Sequence, residues 1–177
     1  MPRYSFTPKQ KENLIIWSKW LDETDIPQGT CALKQPVLVE HWDESDPDNP
    51  EFLGEIHDPS GTFKCCCLGI YAVKSRTKDP FDKMDPDLNG AVRIRGPREK
   101  EKYDYSSYLP PFMAKELGLH YDGPNGGASN GLMFNLTHLN DELHYTFAEI
   151  AAELRHLAVH GDFTKETVRE LRLDSQL

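Results

Sequence analysis

A chain of 177 residues, 38% hydrophobic and 28% charged, suits one globular domain that buries about 70% of its unfolded surface, and lies outside the range of disordered chains. Its longest apolar run, residues 65–73, falls far short of the roughly 20 residues of a membrane helix, so no membrane partner is expected. The net charge of −9, from 29 acidic against 20 basic residues, repels a nucleic-acid backbone; no nucleic-acid partner is expected, although one local basic pocket remains open.

The first residues lead directly into a polar helix start, so a signal peptide is not expected and the cytoplasm is the expected compartment. Thr7, Pro8 and Gln10 form a cap, a first-turn proline and a capping box. Leu14, Ile15, Trp17 and Leu21 supply the predicted buried stripe, with Trp20 at its edge, and Pro27 ends the helical geometry before it. Residues 31–42 turn β-rich, and Pro36 predicts an edge strand or two short strands. Residues 43–51 are acidic and proline-rich and read as an exposed loop. A strand over 51–57, a turn at Asp58–Gly61 and an extended stretch over 62–66 lead into a helix predicted from Cys67 to Lys74.

Beyond it the chain is irregular, with a short strand predicted over 90–95 and a mixed-charge run over 98–102. Pro110-Pro111 opens a short helix stopped by Gly118. Residues 123–131 are too rich in glycine and asparagine for a regular element and read as a mobile loop. Asn140-Asp141 reads as a polar loop ahead of a second capping box, Thr146 with Glu149, and Phe147, Ile150, Ala151, Leu154 and Leu157 form one helix face. Gly161 stops that helix, and Thr164 caps a last one carrying Val168, Leu171 and Leu173.

Several residue patterns carry possible chemistry. Cys65-Cys66-Cys67 at a strand-to-helix junction would place a thiol in a helix-end field, which favours a nucleophile; buried packing is the commoner fate of such cysteines. These residues with Cys31, His41 and His57 lack paired Cys-x-x-Cys knuckles, so no zinc site is expected. Glu153, His156 and His160 imitate a metal-binding helix without the second pair such sites need. Asp85, Asp87, Asn89 and Gly90 open like a calcium loop, but Gly96 stands where the bidentate glutamate belongs. Basic residues gather as Lys74, Arg76 and Lys78, and as Arg93, Arg95 and Arg98. On a strand, Arg93 and Arg95 share a face and make a fork for phosphate or carboxylate.

Trp17 with Leu21, Gln28 before a short strand, Cys66-Cys67-Leu68-Gly69, Leu109-Pro110 and Leu117-Gly118-Leu119 recur in order. They are followed by Leu139-Asn140-Asp141 and Phe147-x-x-Ile150-Ala151. In this arrangement the chain resembles a family of small proteins from tailed phages and prophages. It departs from them in its acidic loop at 43–51, its third cysteine and its insertion over 93–102. The resemblance implies a phage accessory protein in the bacterial host cytoplasm, of a kind that counters host defence by sequestering a nucleotide immune signal.

The expected fold is a single α+β domain over residues 1–177, a small, mostly antiparallel sheet packed by three to five helices. The expected function is binding of a small, anionic, nucleotide-like ligand without catalysis, cofactor or metal, in a chain that leaves room for a homo-oligomer. Arg93 and Arg95 would take phosphate, Gln28, Asn140 and Asp141 would read polar edges, and Asn130 would help close the site. One alternative is a cysteine-dependent hydrolase or transferase using Cys66 or Cys67 with His138 or His144. Another is a protein–protein inhibitor whose acidic loop mimics nucleic acid or masks a basic host partner.

Overall fold

Thr7 starts the first helix through reciprocal bonds: its Oγ1 accepts from Gln10 N at 3.3 Å, and Gln10 Oε1 accepts from Thr7 N at 2.9 Å. Helix α1 runs Pro8–Glu23 and buries Leu14, Trp17, Ser18 and Leu21. Ile15, expected on that stripe, is 43% exposed. It sits about 100° round the helix from Leu14, beyond Ser18, which forms that edge of the buried face. The computed structural model describes residues 4–30, 32–43, 45, 51–76, 109–119 and 131–174, with the backbone of 94–95 and 102–103.

Pro36 divides the β-rich segment as its missing donor dictates. Strand β1, Gln35–Pro36, and strand β2, Leu38–Asp43, are separated by Val37; β3 spans Glu51–His57 and β4 Phe63–Lys64. β1 pairs with β4 and β2 with β3, both antiparallel. Val37 N donating to Thr62 O at 3.1 Å, and Asp58 N to Val37 O at 2.9 Å, join the pairs into one ribbon. Helix α2, Cys67–Lys74, follows at the predicted position. A third antiparallel pair joins β5, Ile94–Arg95, to β6, Lys102–Tyr103, and α3 spans Pro111–Glu116.

The fold is α+β, with six helices among the described residues and strands in separate two-stranded pieces. No helix is long and apolar enough to cross a membrane among the described residues. Two features of the architecture differ from expectation. The helices pack chiefly on one another, α1 against α5 (Phe147–His160) most extensively, rather than covering one sheet. Asn140 and Asp141 belong not to a loop but to a further helix, α4, Leu132–Asp141. Its N-cap is Gly131 in the left-handed region, with no side-chain cap bond, so the usual polar start signal is absent.

Helix α5 opens with the predicted box, Thr146 N donating to Glu149 Oε2 at 2.7 Å. Phe147, Ile150, Ala151, Leu154 and Leu157 all enter the core. The buried Glu153 carboxylate accepts from Thr164 N at 3.0 Å and from the Thr164 and Thr167 hydroxyls at 2.7 and 2.9 Å. It thereby fixes the start of α6, Lys165–Asp174. On α6 Leu171 is buried and Leu173 exposed.

Candidate ligand cleft and the two ends of helix α2

Helix α2 enters the core through the triple cysteine. Cys65 N donates to Pro27 O at 3.0 Å, Gly29 N to Cys65 O at 2.7 Å and Cys66 N to Ala32 O at 3.2 Å, so Pro27, Gly29 and Ala32 hold the extended approach to the helix. Gly69 is required by the same contact: a Cβ there would stand 1.6 Å from Leu33 O. Trp17 Nε1 donates to Cys67 O at 3.0 Å and ties in α1. Cys66-Cys67-Leu68-Gly69 thus has a packing explanation at each step.

Asn140, buried at the end of α4, takes the place of a cap for α2. Its Oδ1 accepts from Cys67 N and from Gln28 Nε2, each at 3.2 Å. Its Nδ2 donates to Gly29 O at 2.8 Å and to Asp141 Oδ1 at 2.7 Å. Two donors and two acceptor positions are thereby used. Gln28 also donates to Tyr145 O at 2.7 Å and accepts from Phe147 N at 2.9 Å through Oε1, so it reaches the first turn of α5.

Gln28, Asn140 and Asp141 therefore come together, as the sequence reading grouped them, and the hydrogen bonds of the first two are made within the fold. Arg93 and Asn130 lie outside the described residues. Arg95 lies in β5, where only the backbone is described.

Cys65, Cys66 and Cys67 are all buried, and Cys66 and Cys67 are free thiols. Burial pushes the Cys66 thiol up to about 12, and the nearby Asp141 charge adds to the rise. The Cys67 thiol is raised well above its ordinary value by burial and then by Cys66 and Asp141, and it points at Leu136 O, 3.7 Å away. A nucleophile needs thiolate and access; these two thiols are held protonated in the core. Among the described residues no group of three or more His, Cys, Asp or Glu side chains is arranged to hold a metal ion.

The other end of α2 opens onto a cleft of about 670 Å³ between the start of α1, Lys74-Ser75-Arg76 and the end of α3. Its lining contains Lys9, Lys74, Arg76 and Lys115 against one carboxylate, Glu116, and its aromatic wall is Trp20 with Tyr71. The two rings lie 5.9 Å apart. Glu116 accepts from Arg76 Nη2 and from the Tyr71 hydroxyl, each at 2.9 Å. Burial first, and then that carboxylate, hold the Tyr71 phenol well above its usual value, so it stays a neutral donor.

Gln10 Nε2 and Asn13 Nδ2 take the Lys115 and Glu116 carbonyls at 3.1 and 2.8 Å. The end of α3 is therefore capped without using the Lys115 ammonium. Lys9 pairs with Glu12 at the rim, whereas Lys74 and Lys115 have no carboxylate partner among the described residues. Ser75 Oγ, which borders the cleft, is the one buried side-chain polar atom without a hydrogen-bond partner among the described residues.

A second groove of about 550 Å³ lies against α6 and is lined by Lys165, Arg169 and Arg172. Those cations share one helix face, the ordinary arrangement of a solvated surface. The α1–α2–α3 cleft gathers its charges from three separate elements.

The sequence signal for the cleft was partial. Lys74 and Arg76 stand out as a basic group, but nothing local links them to Lys9, Trp20 or Lys115. No family model, no curated protein and no solved structure matches the chain.

Proposed function

We propose that the protein binds a small anionic ligand carrying an aromatic ring, of which a nucleotide is the chemical type, in the α1–α2–α3 cleft. The observation that carries this reading is the excess of cations around an aromatic wall in a chain whose net charge is −9. Lys74 and Lys115 supply charge for phosphate. Arg76, steadied by Glu116, presents a fixed guanidinium edge, and the half-buried Trp20, backed by the buried Tyr71 ring, offers a face for a base. The volume falls within the roughly 300–1,000 Å³ typical of small-molecule sites.

The resemblance to small tailed-phage proteins supplies the setting: an accessory protein that holds a host nucleotide immune signal away from its receptor. Arg93, Arg95 and Asn130 enter the proposal as further ligand contacts. The test is a thermal-shift and calorimetric titration with nucleoside phosphates, an ADP-ribose derivative and cyclic dinucleotides, followed by heat release of whatever binds. Saturable binding with intact ligand released supports sequestration. Altered ligand would move the reading to an enzyme, and absence of binding across the panel would reject it. Arg93→Ala and Arg95→Ala in the same titration decide whether those two contribute.

A further inference from the structure

The distal half of the β ribbon differs from the rest of the surface in both charge and apolarity. Between Gln35 and Thr62 the sequence holds eight acidic residues and no lysine or arginine. This one stretch thus carries nearly all of the net charge of −9. None of the described residues from 38 to 57 is buried, yet Leu38, Trp42, Phe52, Leu53 and Ile56 are large apolar side chains, between 41% and 55% exposed.

Trp42 and Phe52 face each other across the strands, edge-on with ring centroids 5.0 Å apart. Such a pair steadies a hairpin by up to about 1 kcal/mol, which accounts for two of the five. Leu38 shares their face through the β alternation, while Val39 and Ile56 stand opposite each other on the other face. Apolar contact is therefore offered from both sides of the arm.

Charge decides what can cover it. Glu40 lies directly opposite Glu55, a like-charge pair that costs stability until a cation comes near. β2 and β3 pair only with each other among the described residues. An open edge of this kind invites another strand, but a second copy would bring the same acidic arm with it. A nucleic acid or an anionic bilayer is repelled for the same reason. A cationic protein surface is attracted, and its lysines or arginines would relieve the Glu40–Glu55 pair.

We infer that the β2–β3 arm docks into an apolar groove rimmed by lysine and arginine on a protein partner, with Trp42 and Phe52 as the anchor and the carboxylates steering approach. The arm is a separate surface from the anion cleft, and its test uses neither the cleft residues nor a nucleotide.

The probe is an amphipathic leucine/lysine helical peptide, compared with a leucine/glutamate peptide and a serine/lysine peptide of equal positive charge, each titrated against the full chain. Trp42 reports contact by a blue shift of its fluorescence. The leucine/lysine peptide is expected to bind, and the other two to bind at least about tenfold more weakly. Phe52→Leu, which keeps an apolar side chain in the hairpin, and Glu55→Lys, which leaves the Trp42 Nε1 bond to Glu40 in place, should each weaken it by about tenfold, while the far-ultraviolet dichroism of the helical core, which holds neither residue, stays that of the parent. Equal binding of both lysine peptides, unchanged affinity in the variants, or concentration-dependent dimerisation lost on Phe52→Leu would each overturn the inference. The Trp42→Ala protein, followed by calorimetry, keeps the test readable if fluorescence does not move.

Discussion

The two ends of helix α2 are built on opposite plans. At Cys67 the helix N-terminus is closed by a side chain from a distant element, and Asn140 has each polar atom bonded twice. At Ser75 the helix ends beside a cleft, with Lys74 unpaired by any carboxylate among the described residues and the Ser75 hydroxyl without a partner. Burial explains the contrast between Asn140 and Lys74, and the buried Ser75 hydroxyl is the exception to it. A polar group withdrawn from water must find its partners inside the protein, whereas a lysine at the surface keeps its hydration and can exchange it for an anion. Polar residues at the closed end serve folding first, and uncommitted charge at the open end is what a ligand can use.

The closed end should break most severely at Gly69. Gly69→Ala sets a methyl group 1.6 Å from the Leu33 carbonyl oxygen, a backbone atom with no rotamer to yield. A loss of at least about 3 kcal/mol in urea unfolding is expected, near the top of the overpacking range. Asn140→Ala comes next, because it leaves the Cys67 N–H and the Gly29 carbonyl without their partner. Two buried orphans imply about 2–3 kcal/mol. If either variant unfolded like the parent protein, the closed end would not be the rigid element described above.

The open end should respond in the reverse sense. Lys74→Ala with Lys115→Ala is expected to leave urea stability within about 0.5 kcal/mol, as surface substitutions do. The same change should weaken nucleotide binding about tenfold, or about 1.4 kcal/mol. Calorimetry of binding beside denaturation of the same sample separates the two effects. A variant that lost stability and kept binding would reverse the assignment of the two ends.

How much of this could be read from the sequence depends on how local the cause was. Helices α1 and α5 were legible to the residue at their starts because each carries its own capping box within four residues. Helix α4 was not, because it starts on Gly131 with no side-chain cap, and Asn140-Asp141 ahead of Thr146 looked like a loop. Gln28 and Asn140 could be picked out together, but the bond that joins them spans 112 residues of chain, and the one from Asn140 to Cys67 spans 73. The cleft shows the same limit: Lys74 and Arg76 are neighbours in sequence, while Lys9, Trp20 and Lys115 reach them only through packing of α1 and α3.

The smallest expected effect separates charge from geometry at the start of α5. Glu149 accepts from Thr146 N at 2.7 Å and from the Thr146 hydroxyl at 2.8 Å. The Thr146 backbone bond first, then its side chain, hold the Glu149 carboxyl below its ordinary range. A folded value below the unfolded one means that ionisation favours the folded state. The contribution is complete above the unfolded value of about 4.3 and is lost as pH falls through the lower folded value. Glu149→Gln keeps an acceptor oxygen for Thr146 N and removes only the charge. The variant should therefore be less stable than the parent by about 0.5 kcal/mol at pH 7, the size of one exposed charge at a helix N-terminus. At pH 3 the gap in urea midpoints should narrow. A gap of equal size at both pH values would mean that the glutamine fails in geometry and that the cap owes nothing to the carboxylate charge.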